Sequence, residues 1–310
     1  MIVFMSAAGT ISFRKFGLEA ERSTSITPKQ WAVALRRLQM GVAFVERELQ
    51  PLATDAARSG HVALANRFGA FDLRYHFFRA EADGKFGVPL QRADEDPSIL
   101  RLSEVIGNYT TAERSGSYLS GAMIDVFFSR LEHMTVLMLP FLGFDASSGE
   151  LLKLIRSDWD EKYKAVLDIS ADKETIRLYD ELKKVKECFR NPLSHGGFEK
   201  GWWSLYLFLP RAGTIPGSFT DIAKSMQFNY LTIAKETHAE ICALFNAVDA
   251  HLGATPGRAY ALEYVRSELN VGFDEPEAKR YQAAMSSRSD WDEFLQRKSY
   301  LHDQHANMDY

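Results

Sequence analysis

From Trp31 onward, apolar residues recur at alternating steps of four and three: Trp31, Leu35, Leu38, Val42, Val45 and Leu49. That spacing sets them on one stripe of a helix. Thr27-Pro28-Lys29-Gln30 supplies its start, with a threonine cap, a proline at the first helical position and a glutamine placed to reach back to the cap. Pro51 is expected to close the helix, because proline has no N–H to continue it. Leu64, Phe68, Phe71, Tyr75 and Phe78 form a second stripe that runs out before Gly84. The two stripes predict an antiparallel helix pair, followed by a loop over residues 84–98, which carry Gly84, Gly87, Pro89, Pro97 and the acidic run Asp94-Glu95-Asp96.

The pattern turns strongly helical again from residue 117. Leu119, Met123, Phe127, Leu131, Met134 and Met138 make a buried stripe, while Asp125, Ser129, Glu132 and His133 fall on another face of the same helix. Ser147-Ser148-Gly149-Glu150 reads as a capping box opening a helix that contains Leu152, Ile155, Trp159, Tyr163 and Val166. A third helix carries Ile176, Tyr179, Leu182, Val185 and Phe189 and ends against Pro192. A fourth is expected from Thr220 to Leu252, with Ile222, Met226, Tyr230, Ile233, Thr237, Ile241, Leu244 and Val248 inside and Gly253 as its stop. Four helices with short links predict an all-α antiparallel bundle, with an additional helical region before it. Trp202 to Leu209 is an apolar, aromatic run that periodicity leaves open between an extended segment packed on the bundle and a partner surface. A last helix is expected to start at Pro276, with a polar tail after Tyr300.

Length and charge narrow this picture. At 310 residues the chain is long enough for two domains, and the pattern divides it into residues 1–110, 111–255 and 256–310: an N-terminal helical region, the bundle and a C-terminal extension. Lys and Arg number 37 against 41 Asp and Glu, a net charge of −4, so nucleic acid is not bound by a globally basic coat and any such contact is local. The two cysteines, Cys188 and Cys242, have no metal-ligand spacing and read as reduced thiols. The apolar opening Met1 to Met5 lacks a preceding basic residue and is too short for a signal-peptide core. Met134 to Phe144, the most apolar internal stretch, is shorter than the ~20 residues of a membrane span. These features predict a cytoplasmic chain without a membrane partner.

The sequence contains no G-x-x-x-x-G-K-[ST], strand-anchored G-x-G-x-x-G, H-E-x-x-H, G-x-S-x-G or paired C-x-x-C. ATPases, dinucleotide oxidoreductases, zincins, ordinary serine hydrolases and zinc ribbons are thereby disfavoured, and no cofactor or metal is expected.

One segment carries chemistry: Phe189-Arg190-Asn191-Pro192-Leu193-Ser194-His195-Gly196-Gly197. It places a permanent cation and a titratable imidazole close together after a helix end. A guanidinium neutralises charge developing on a phosphate oxygen, and an imidazole moves a proton to or from a ribose 2′-hydroxyl or the leaving oxygen near neutral pH. The same residue types also suit a helix C-terminus, where cations meet the last carbonyls. Arg297 and His302 repeat the loose spacing, but without the amide and the glycine pair.

An arginine followed by asparagine, then histidine and glycine, at the end of the third helix of a bundle resembles the signature of HEPN domains (higher eukaryotes and prokaryotes nucleotide-binding). The helix with Phe127-Phe128-Ser129-Arg130-Leu131-Glu132-His133 is similar to the opening helix of several such proteins, and the resemblance spans roughly residues 112–253. It implies a metal-independent endoribonuclease of the kind found in toxin–antitoxin, abortive-infection and antiphage systems. A homodimer would pair two motifs in one composite active site, with RNA as substrate and an antitoxin or regulatory protein as a further partner. Carried over, Arg190 stabilises the phosphate and His195 is the acid/base; Asn191 orients the pair or contacts RNA. Ser194 is a lesser candidate, and Glu132 or His133 would line the cleft from the neighbouring helix, subject to that helix's rotation. Gly197 stands where HEPN toxins controlled by nucleotidylation carry a tyrosine, so that subgroup is not the template. The alternative expectation is a non-catalytic helical interaction or nucleotide-binding module.

Overall fold

The computed structural model describes residues 3–6, 9–14, 17–22, 24–89, 99–190, 205–210, 213–220, 225–227 and 233–307. The fold class is all-α, as the periodicity predicts. The helices in chain order are α1 Pro28–Arg58, α2 Phe68–Phe86, α3 Ile99–Met138, α4 Glu150–Arg156, α5 Trp159–Val166, α6 Lys173–Val185, α7 Lys235–Leu252, α8 Pro256–Arg266, α9 Glu275–Ala284 and α10 Arg288–Asn307. Short antiparallel strands accompany them: β1 Val3–Ser6, β2 Gly9–Arg14 and β3 Gly17–Arg22 in one sheet, and β5 Leu205–Leu209, β6 Gly213–Thr220 and β7 Ser225–Gln227 in another. No helix among the described residues is long and apolar enough to cross a membrane.

The chain forms two compact units. One comprises residues 1–64, 145–153 and 272–310; the other comprises 65–144 and 154–271. In the first unit, α1 begins at the expected capping box: Gln30 N–H donates to Thr27 Oγ1 at 3.3 Å, and Thr27 N–H to Gln30 Oε1 at 2.9 Å. Pro51 does not end it. The helix continues to Arg58, because proline removes only its own hydrogen bond and the residues after it favour helix. Gly60, at φ +78°, turns the chain where a Cβ would stand 2.9 Å from that of Ala146. Further along, Asp274 caps α9 through the N–H of Glu277 at 2.8 Å, and α9 joins α10 through Glu277 and Lys298 at 2.6 Å.

The second unit holds the bundle. Helix α3 is one continuous rod from Ile99 to Met138, so the boundary expected near residue 110 falls inside a helix. Its inward stripe, Met123, Phe127, Leu131, Met134 and Met138, is buried. Phe127 stacks on Phe245 of α7 with ring centroids 3.5 Å apart, and Tyr75 of α2 and Phe128 pack at their edges. Gly116 lets α2 approach: a Cβ there would sit 2.8 Å from the Phe86 ring. Arg130, only 4% exposed, ties three helices together, with Nε donating to Asp72 at 2.6 Å and Nη1 to Asp249 at 2.8 Å.

Several boundaries differ from expectation. The helix expected from the capping box is a short 3₁₀ turn, Ser147–Gly149, followed by α4 and α5, which are separate because the chain breaks at Ser157 and Asp158. Leu64 belongs to the two-residue strand β4, Ala63–Leu64, rather than to α2. Thr220 and Met226 lie on strands, so the fourth helix starts at Lys235. Within the aromatic run, Leu205–Leu209 is a strand paired with β6, with Phe208 80% exposed. The first 22 residues, expected within a helical region, contribute β1 to β3.

Candidate active site

Helix α6 buries Leu178, Leu182 and Val185, with Ile176 turned outward at 42% exposure. Its C-terminal extension, Lys186–Arg190, is a π-helical turn. One extra residue per turn re-aims the side chains that follow, and such turns recur at functional sites. Phe189 points into the core while Arg190 emerges beside α3, one-fifth exposed.

Arg190 is held on three sides. Its Nε donates to Asp125 Oδ1 at 3.0 Å, its Nη1 to Glu132 Oε1 at 3.4 Å, and its guanidinium carbon lies 5.3 Å from the centre of the Phe128 ring. Asp125, Phe128 and Glu132 stand at i, i+3 and i+7 on α3, a spacing that aligns them on one helix face. Glu132 also accepts from Lys162 Nζ of α5 at 2.8 Å, and Lys162 is 9% exposed. Lys186 sits 5.6 Å from the Trp159 ring; burial, and then the charge of Arg190, push its ammonium below the ordinary lysine range. Arg190, Lys162 and Lys186 thus share one neighbourhood with Asp125 and Glu132, while Asp158 and Asp160 also act on Lys186.

Glu132 is therefore beside Arg190. His133 is not. Its Nε2 accepts the backbone N–H of Arg67 at 2.9 Å, at the entry to α2, and its ring leans on Phe71 at 5.3 Å. Accepting through Nε2 requires a neutral ring protonated on Nδ1. Burial, and then the Arg67 charge, lower its pKa. Asn191, Ser194 and His195 lie outside the described residues.

Three members of the cluster, Asp125, Lys162 and Lys186, were not picked out as site residues from the sequence. Asp125 had a visible signal, since it shares the Glu132 face seven residues earlier. Lys162 had one too: it interrupts the inward stripe between Trp159 and Tyr163, where a charged residue needs a partner. Lys186 carries no such mark.

A second polar cluster lies within the bundle. His238, 2% exposed, contacts Ser120 Oγ through Nδ1 at 2.8 Å and Asp83 Oδ1 through Nε2 at 3.1 Å, with Cys242 Sγ 3.5 Å away. Ser120 is fully buried and its hydroxyl also reaches Gly116 O at 2.8 Å, so this serine is a packed structural group without access for a substrate. Among the described residues, no group of three or more His, Cys, Asp or Glu side chains has a metal-holding arrangement. No family model matches the chain, and neither the curated proteins nor the solved structures compared with it match.

Proposed function

We propose that the chain is a metal-independent endoribonuclease of HEPN type, a cytoplasmic toxin or antiphage-defence effector that works as a homodimer under an antitoxin or regulatory protein. The observation that carries the reading is the placement of Arg190. It ends the helix that leads directly into Asn191 to Gly197, is partly open to solvent, and is oriented by two carboxylates and an aromatic face. A guanidinium fixed in this way is preorganised for a phosphate oxygen, with Lys186 beside it to add positive potential.

In the proposed reaction His195 takes the proton of a ribose 2′-hydroxyl. The 2′-oxygen attacks the adjacent phosphorus while Arg190 stabilises the anionic transition state. The P–O5′ bond breaks, and the departing oxygen takes up a proton as the 5′-hydroxyl. Asn191 orients the pair or contacts RNA, and Ser194, which precedes His195 in sequence, is a lesser candidate. Glu132 positions the arginine, whereas His133 is bonded to the Arg67 backbone N–H. Arg190→Ala and His195→Ala, each folded as judged by circular dichroism, test this: both should abolish RNA cleavage that persists in EDTA. Wild-type protein that leaves RNA intact contradicts the proposal.

One observation favours a second reading, a non-catalytic interaction module. Both Asp125 and Glu132 already engage Arg190, as they would in a purely structural ion pair. That reading requires Arg190→Ala to lower stability and leave every RNA readout unchanged.

A further inference from the structure

Helix α1 is 31 residues long and has no buried residue. Helices of globular proteins owe most of their stability to packing of an apolar face, so a helix of this length without such packing lacks its partner. The face itself is well formed. Trp31, Leu35, Leu38, Val42, Val45, Leu49 and Leu52 follow steps of 4, 3, 4, 3, 4 and 3. This is a heptad seam, with Leu35, Val42 and Leu49 at a and Trp31, Leu38, Val45 and Leu52 at d. Val42, Val45, Leu49 and Leu52 are 47%, 52%, 53% and 65% exposed. Trp31, Leu35 and Leu38 are half-buried, so the open part of the strip is the stretch from Val42 to Leu52, about 15 Å of helix, and Val33, Met40 and Phe44 add exposed apolar surface outside the seam.

The positions bordering the seam indicate what covers it. Those at e are Ala32, Gln39, Glu46 and Ala53; those at g are Ala34, Gly41, Glu48 and Asp55. Small residues there let a second helix come close. If two copies of α1 pair in parallel, g meets e of the next heptad, giving Ala34 with Gln39, Gly41 with Glu46, and Glu48 with Ala53. If they pair antiparallel, Gln39 meets Glu46, Gly41 meets Glu48, and Ala34 meets Asp55. In either direction every acidic border residue faces a neutral one, and Arg36, Arg37, Arg47 and Arg58 fall at b, c and f, away from the seam. The helix is electrostatically compatible with its own copy, as an isologous two-fold contact requires. Acidic residues beside the apolar strip are the opposite of what an anionic lipid surface selects.

We infer that α1 is a dimerisation helix whose seam is covered by α1 of a second copy of this chain. The ribonuclease reading also calls for a homodimer, but this inference places the contact on α1 and uses no residue of the Arg190 site, so the Leu49→Glu variant and the RNA-cleavage assay test the two separately. Sedimentation equilibrium of the full chain tests it. The wild type should be a dimer. Leu49→Glu should weaken the dimer by about 100-fold or more, because each copy loses an apolar contact and gains an unpaired carboxylate. Gln50→Glu, the same charge on the outer face, should leave the dimer unchanged, as should Arg190→Ala. Far-ultraviolet circular dichroism should show that Leu49→Glu keeps its fold, since Leu49 is more than half exposed. A wild type that stays monomeric overturns the inference, including one that instead binds phosphatidylserine vesicles. A dimer that persists undiminished in Leu49→Glu overturns it as well.

Discussion

Glu132 and Arg190, 58 residues apart in sequence, are joined by a 3.4 Å ion pair in which the carboxylate's second oxygen simultaneously holds Lys162 at 2.8 Å. One carboxylate thus fixes two cations, one nearly buried and one facing solvent. Removing it has two separable consequences. Lys162 is left without its partner in a site 9% exposed, while Arg190 is released towards solvent. Glu132→Gln is expected to cost about 1–2 kcal/mol in urea unfolding, less than a fully buried pair because Glu132 is itself a quarter exposed. Lys162→Met in the Glu132→Gln background should recover much of that loss, since it removes the unpaired charge and keeps the apolar stem.

The two arginines of the bundle should separate cleanly. Arg130 is 4% exposed and bridges Asp72 and Asp249, so Arg130→Met strands two carboxylates and should cost about 3 kcal/mol. Arg190 is 20% exposed and pairs with the more accessible Asp125, so Arg190→Ala should cost about 1 kcal/mol or less. Denaturant titrations of the two variants give the comparison. Equal losses would mean that Arg190 is a structural arginine of the same kind as Arg130.

Acid should destabilise the bundle through its histidines. Burial, followed by the Arg67 charge, lowers the pKa of His133 below the ordinary 6.5. Burial also lowers that of His238, against the opposing hydrogen bond and charge of Asp83. A histidine whose folded pKa is depressed binds its proton more readily in the unfolded chain. Its contribution is intact above pH 6.5 and is lost as pH falls from there through the folded pKa. His133→Gln keeps an acceptor for the Arg67 N–H and cannot titrate. The fall in stability below pH 6.5 should therefore be shallower in this variant than in the wild type, measured by unfolding midpoints across the range.

Much of the helical scaffold was legible because helices announce themselves locally. The Thr27 and Gln30 capping box, the stripe from Met123 to Met138 and the helix start at Pro276 each depend on residues within a few positions of one another. The errors came where non-local pairing decides. Ile222, Met226 and Tyr230 fit a helical period, yet Ser225–Gln227 pairs with Ser218 to Thr220 as a strand, a choice made by a neighbouring strand and invisible in spacing. Pro51 misled for the opposite reason: its local penalty is real but too small to stop a helix whose following residues favour continuing. At the candidate site, Arg190 stood out through the motif around it. Its carboxylate partners lie 58 and 65 residues away, and the rotation of α3 that admits Glu132 and excludes His133 is set by the core packing of Phe127 against Phe245.

The most direct measurement is the chemistry of the RNA ends produced by the purified 310-residue chain in EDTA. The proposed attack of a 2′-oxygen assisted by His195 and Arg190 predicts 5′-hydroxyl and 2′,3′-cyclic phosphate termini, no cleavage of an otherwise identical DNA strand, and loss of these products in Arg190→Ala and His195→Ala. Intact RNA, products that require a divalent metal, or undiminished cleavage by either variant would contradict it.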